Sequence, residues 1–196
     1  MTAPATRLIY GQGFPAALAA LAYAARGERC TWLELPAPEA PVLWPLGLAQ
    51  APALQALLPQ SLAYWQQLGT GFHPQTWRWQ TAAGRAELSG ALLEYKRVWA
   101  AILAVVQARG VQRVAAEGCR LWCEEGVVKG FIGTDAYGQS QYYQAEAITV
   151  CAGPDVSWLL SQAGLHLPLR PLRSHWWVQP YTADQPLGAY AWALPQ

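Results

Sequence analysis

The chain has 196 residues, 53% of them hydrophobic and 13% charged, with a net charge of +1. That balance builds a sizeable core and excludes a disordered chain, while no basic block points to nucleic acid and no acidic run is present. The longest apolar helical stretch is interrupted by Arg26 and is too short for a bilayer. The N-terminus lacks the charged start, apolar run and cleavage site of a signal peptide, so the cytoplasm is the expected compartment.

The first elements are the most telling. Arg7-Leu8-Ile9-Tyr10 is an apolar run that stops at glycine, as a buried parallel strand does. Gly11, Gly13 and Ala16 then form G-x-G-x-x-A. In a dinucleotide-binding βαβ unit the first glycine makes the turn and the second admits a pyrophosphate. The third small residue lets helix and strand pack closely. Ala16 to Arg26 is rich in good helix formers, and Pro15 stands in the first turn, where its missing N–H costs little. Gly27 ends the helix, and Cys30-Thr31-Trp32-Leu33 is the next strand. Glu34 closes that strand at the spacing expected of the acid that accepts ribose hydroxyls. A carboxylate there also repels a 2′-phosphate, which disfavours NADP. An ordinary strand-turn-helix shares the glycine turn; the strand before it, the helix after it and the placed acid favour the nucleotide reading. The expected contacts are Gly11, Gly13, Phe14, Pro15 and Ala16 at the helix N-terminus, with Glu34 at the ribose.

Further on, Pro36 to Pro59 reads as a loop or lid until about Ala53, and Leu54 to Leu68 as a helix. Gly69 to Gly84 is mixed, with Trp77-Arg78-Trp79 alternating like a strand. Leu92 to Arg109 has helical periodicity and Gly110 as its stop, followed by a short strand at Val111 to Val114. A β-meander comes next: Arg120 to Cys123, a turn at Glu124-Glu125-Gly126, Val127 to Gly133, a turn at Asp135 to Gly138, and Gln141 to Tyr143. Glu146 to Cys151 is an apolar strand ending in Ala152-Gly153. Pro154 to Ala163 reads as a helix and Arg170 to Gln179 as a strand. Strand and helix signals alternate at both ends, which predicts an α/β fold with a parallel sheet.

Cys30 and Cys151 fall in predicted buried strands, and Cys119 and Cys123 lack the spacing and His partners of a zinc site, so no metal is expected. The eleven tryptophans are scattered and not interleaved with basic residues, which favours core filling over a stacking surface. No side chain stands out as a general base. His73, His166 and His175 are candidates by type alone. Arg170 and Arg173 either attract a carboxylate or support the surface.

Three segments in order resemble the FAD-dependent D-amino-acid oxidase superfamily, which includes glycine oxidase and sarcosine oxidase. They are LIYGQGFPAALAALAYAARGERCTWLEL, ARGVQRVAAEGCRLWCEEGVVKGFIGTDAYGQSQYYQAEAITVCAG, and PDVSWLLSQAGLHLPLRPLRSHWWVQP. The opening segment is similar to that family's FAD unit. The middle segment resembles its strand, meander and returning strand, and the last resembles the connection into its substrate domain. The resemblance implies a Rossmann-like FAD/NAD(P)-binding fold over 1–196, with a substrate-domain sheet starting within 170–196 and left incomplete. It implies FAD on Gly11, Gly13, Ala16 and Glu34, with NAD as the alternative, and Gly153 passing close to the cofactor. It also implies oxidation of a C–N bond in a small amine or amino acid by hydride transfer to flavin. The family has an arginine cluster soon after the acid, where this chain reads LPAPEAPVLWPLGLAQAP. Family sequences also continue beyond the point matching Gln196. The chain therefore resembles a short or truncated member. The expectations are a flavoenzyme, either naturally short or completed on its substrate side by a second chain, a nucleotide-binding or interaction module without turnover, or a truncated product with no activity of its own.

Overall fold

The computed structural model describes residues 5–36, 43–46, 52–81, 84–116, 118–134, 138–169 and 190–192. The chain divides into two compact units, Met1–Glu39 with Ile102–Arg173, and Ala40–Ala101 with Ser174–Gln196. Elements are numbered along the chain.

In the first unit, β1 (Ala5–Gly11) pairs in parallel with β2 (Cys30–Glu34) on one side and with β9 (Ser140–Cys151) on the other. Leu8, Ile9 and Tyr10 are all buried because this strand is covered on both faces, as continuous apolar parallel strands are. Helix α1 (Gly13–Ala25) connects β1 to β2 and buries Phe14, Ala16, Ala17 and Ala20. β6 (Gln112–Ala115) extends the sheet beyond β2, also in parallel. The strand order is β6-β2-β1-β9-β8-β7, a mixed α/β sheet whose inner part is parallel. This is the Rossmann-like arrangement expected from the sequence.

The meander is β7 (Arg120–Glu124), β8 (Val127–Thr134) and the first part of β9. The sequence predicts separate strands at Gln141–Tyr143 and Glu146–Cys151; the structure joins them into one. No Gly or Pro interrupts residues 140–151, so nothing stops the strand. Ser140 to Gln144 pair with β8, and Ala145 to Cys151 then pair with β1. One strand thus ties the meander to the parallel sheet. Tyr10 stacks on Phe131 at 4.2 Å, and both belong to a core with Leu8, Leu33, Ala116 and Leu159. After β9 a single 3₁₀ turn, Gly153–Asp155, leads into the short helix α4 (Val156–Ser161).

The second unit holds an antiparallel pair, β4 (Phe72–Thr81) and β5 (Gly84–Glu94). β3 (Leu43–Leu46) flanks β5, and β10 (Tyr190–Trp192) flanks β4. Two expectations are corrected here. β3 lies inside the stretch read as a loop; it carries Pro45, and an edge strand is where a missing N–H is tolerated. The helix expected from Leu92 starts instead at Tyr95, as α3 (Tyr95–Ala108), because Leu92 to Glu94 belong to β5. Ala91 and Leu93 are buried at the two-residue period of a strand, while Val98, Ile102 and Val106 in α3 follow the four-residue period. The helix read at Leu54–Leu68 is α2 (Pro52–Gln67). The strand expected at Arg170–Gln179 and the turn centre at Asp135 lie outside the described residues.

Candidate functional site

The site expected from the glycine motif is built where β1, β2 and β9 end. Gly11 has φ +154°, and a Cβ added to it would lie 2.3 Å from the carbonyl oxygen of Cys151. Its lack of a side chain is therefore demanded by the neighbouring strand, as well as by the turn. Gln12 is extended, and its N–H donates to the Cys151 carbonyl at 3.2 Å. Gly13, the first residue of α1, has φ +66°, and a Cβ there would meet nothing nearer than Pro15 Cδ at 3.9 Å. That side of Gly13 is open, which is what the close approach of a phosphate requires. No side chain caps α1, and no acidic residue stands in its first turn. The N-terminal N–H groups and the positive end of the helix dipole are therefore not met by a carboxylate of the helix's own first turn.

The other expected residues sort by packing. Phe14 and Ala16 are buried under the helix, whereas Pro15 is exposed. Ala16 is fully buried, as the third small position of the motif must be. Gly153 opens the turn after β9 at φ +59°, and its added Cβ would come within 3.7 Å of Gln12 Nε2. The turns after β1 and β9 therefore lie side by side. Glu34 is level with Gly11 in the β1–β2 register, and the Leu35 N–H donates to the Gly11 carbonyl at 3.0 Å. All of these groups face the carboxyl ends of the strands, where open α/β sheets bind their ligands.

Two residues that sequence reasoning missed complete the arrangement. The Trp32 indole N–H donates to the Gly11 carbonyl at 3.0 Å. Arg113, on β6, donates from Nη2 to Glu34 Oε2 at 2.5 Å and lies 5.3 Å from the centroid of the Trp32 ring. No local signal marks either residue. Arg113 reaches Glu34 only because β6 pairs with β2, with Trp32 level with Arg113.

The remaining candidates are dispersed. In the second unit His73 pairs with Glu94 at 2.7 Å, and Arg97 reaches the same carboxylate at 3.3 Å. These contacts, the His73 hydrogen bond foremost, hold the Glu94 carboxyl below the ordinary carboxylate range. His166 is exposed beyond α4. His175, Arg170 and Arg173 lie outside the described residues. All four cysteines are free thiols; Cys30 and Cys119 are buried, Cys151 is half-buried and Cys123 exposed. Burial raises the pKa of Cys30, Cys119 and Cys151, which keeps them protonated. Among the described residues no group of three or more His, Cys, Asp or Glu is arranged to hold a metal, and no helix is long and apolar enough to cross a membrane. A cleft of about 1030 Å³, lined in part by Arg29, Thr31, Arg109, Gln112 and Tyr142, contains none of the motif residues. Arg29 and Gln112 lie at the amino ends of β2 and β6, the wrong end for a nucleotide in this topology.

No protein-family model and no curated protein sequence matches the chain. Solved structures do match its fold. NikD, an unusual amino acid oxidase of nikkomycin biosynthesis, aligns with TM-score 0.62 and 17% identity, covering 82% of this chain and 54% of NikD. Glycine oxidase from Bacillus cereus aligns with TM-score 0.59 and 16% identity over 81% of this chain and 58% of that one. A glycerol-3-phosphate dehydrogenase from Bacillus halodurans complexed with FAD aligns with TM-score 0.57 and 13% identity, covering 83% of this chain and 37% of that one. The chain thus has a Rossmann-like fold, similar to the folds of these amino acid oxidases and of the FAD-complexed dehydrogenase. It spans roughly half the length of the two amino acid oxidases it matches.

Proposed function

We propose that this chain binds FAD and takes part in oxidising the C–N bond of a small amine or amino acid. One observation carries the reading: an open Gly13, an uncapped helix N-terminus, Gly153 and Glu34 converge at the carboxyl ends of β1, β2 and β9. Gly11, Gly13 and the first N–H groups of α1, with Phe14 and Ala16 packed beneath, would hold the pyrophosphate, and Pro15 leaves the helix start unobstructed. Glu34 would accept a ribose hydroxyl, and Gly153 would let the β9 turn approach the cofactor. FAD, when bound, supplies the hydride acceptor; the protein's share is binding, orientation and the exclusion of water. The same turn admits NAD as the alternative cofactor. In this reading the sheet of the second unit, with Tyr190–Trp192 as one strand, begins the substrate side. The four free thiols fit a reducing compartment such as the cytoplasm, which fractionation of the native source would check.

The test is a visible absorbance spectrum of the purified chain, repeated on the supernatant after heat release. A flavin spectrum with FAD recovered is expected, followed by bleaching under anaerobic addition of amino acids. A colourless protein that takes up no added FAD overturns the reading. A second reading is a non-catalytic nucleotide-binding or partner-dependent module. FAD retention without bleaching by any amine supports that reading.

A further inference from the structure

Glu34 does not stand alone at the end of β2. Its Oε2 accepts a hydrogen bond from Arg113 Nη2 at 2.5 Å, which leaves Oε1 for another donor. Neither side chain is deeply buried; their relative exposures are 35% for Arg113 and 26% for Glu34. The Arg113 guanidinium carbon lies over the Trp32 ring, 5.3 Å from its centroid, and Trp32 is completely buried and anchored through its indole N–H to the Gly11 carbonyl. A planar guanidinium can stack on an aromatic face and present an N–H edge to a carboxylate at once, and a flexible ammonium cannot. One chain of contacts therefore runs from the glycine turn through Trp32 and Arg113 to the acid.

We propose that Arg113 is a positioning residue for ribose recognition: it fixes the Glu34 carboxylate through Oε2 so that Oε1 faces the hydroxyls of an adenosine ribose. This rests on the nucleotide reading above. In the expectation drawn from the sequence, Glu34 both accepts ribose hydroxyls and repels a 2′-phosphate. Here Arg113 offsets the carboxylate charge, so selection depends on a hydrogen bond from a ribose hydroxyl. A site built to pair a hydroxyl penalises the analogue lacking it, because the half-buried acceptor is then left unpaired.

The experiment titrates the full chain with ADP and with 2′,3′-dideoxy-ADP by calorimetry, in the wild type and in Arg113→Met, Arg113→Lys and Glu34→Gln. The readout is the ratio of the two dissociation constants. In the wild type ADP is expected to bind about tenfold tighter. The ratio should fall to within about twofold of unity in Arg113→Met and Glu34→Gln, and recover part of the way in Arg113→Lys. A residue that merely supported the strand would lower the melting temperature and leave the ratio intact. An unchanged ratio in Arg113→Met therefore overturns the proposal while the nucleotide site stands. If Arg113→Met does not fold, Arg113→Gln and Arg113→Lys decide by the same ratio. Absence of ADP and FAD binding in the wild type overturns the nucleotide reading itself, and the role of Arg113 with it.

Discussion

Two glycines in one motif do different physical work, and substitution separates them. An alanine at position 11 would drive its Cβ against the Cys151 carbonyl, a backbone atom of a central strand that cannot move aside. Gly11→Ala is expected to cost about 3 kcal/mol or more, read as a lower midpoint in urea denaturation. At position 13 there is room for a side chain, so the cost is the positive φ, about 1–2 kcal/mol. Gly13→Val should leave a folded protein that no longer binds FAD; full cofactor occupancy would mean that the turn is not the phosphate site. Glu34→Ala should weaken FAD binding about tenfold, the worth of one charge-assisted hydrogen bond. An unchanged dissociation constant by flavin quenching would remove the ribose role. Glu28 supplies a pH test. Hydrogen bonds from Arg26 first, and then from Arg7, hold its carboxyl below the ordinary range. A depressed carboxyl contributes stability that is present above its unfolded pKa and lost as pH falls through the folded one. The stability of wild type should therefore decline below about pH 4, and Glu28→Gln should flatten that decline in melting curves from about pH 7 to about pH 3.

At the scale of elements, the β7–β8 hairpin carries an avoidable strain. Glu125 and Gly126 form its two-residue loop, with φ of +51° and +77°. Both positive values are those of a type I′ turn, in which Asn-Gly is the favoured pair. Glu125→Asn should stabilise the protein by about 1 kcal/mol in thermal denaturation, since the strained glutamate is replaced by a residue that tolerates this region. The meander itself is fastened to the parallel sheet by Phe131, which is fully buried and stacked on Tyr10. Phe131→Ala should cost about 3–5 kcal/mol, through lost transfer energy and the cavity left behind. The result would be checked by calorimetry, and a cost below about 1 kcal/mol would mean that the meander is held by its strand pairing alone.

For the whole molecule, the sequence assigns the tryptophans to core filling, and among the described residues they fill it only in part. Trp32 and Trp65 are buried, Trp99 and Trp122 are half-buried, and Trp158 is 64% exposed. Leu165, Leu167 and Leu169 are exposed close after it in sequence. Apolar side chains in water contribute little to folding, so Trp158→Ser should change stability by less than about 0.5 kcal/mol. A larger loss on urea denaturation would show that Trp158 is covered in solution. The βαβ unit, the meander and the place of Glu34 at the end of β2 were all legible along the chain, because each is written in short-range periodicity and in glycines at fixed offsets. The boundary between β5 and α3 was not, since Ala91-Leu92-Leu93 satisfies either period. Its strand character comes from pairing with β4 and β3, which lie apart from it in sequence.

By itself the sequence determined the glycine turn between β1 and α1, the order of elements around it and the low, balanced charge, because these depend on local sterics and composition. Only the tertiary structure decided that residues 140–151 form one strand shared by meander and sheet. It also decided that Gly11 answers to Cys151, and that Arg113 grips Glu34. Each of these follows from which strands become neighbours. Strand pairing brings together residues far apart along the chain, and no local preference encodes that register.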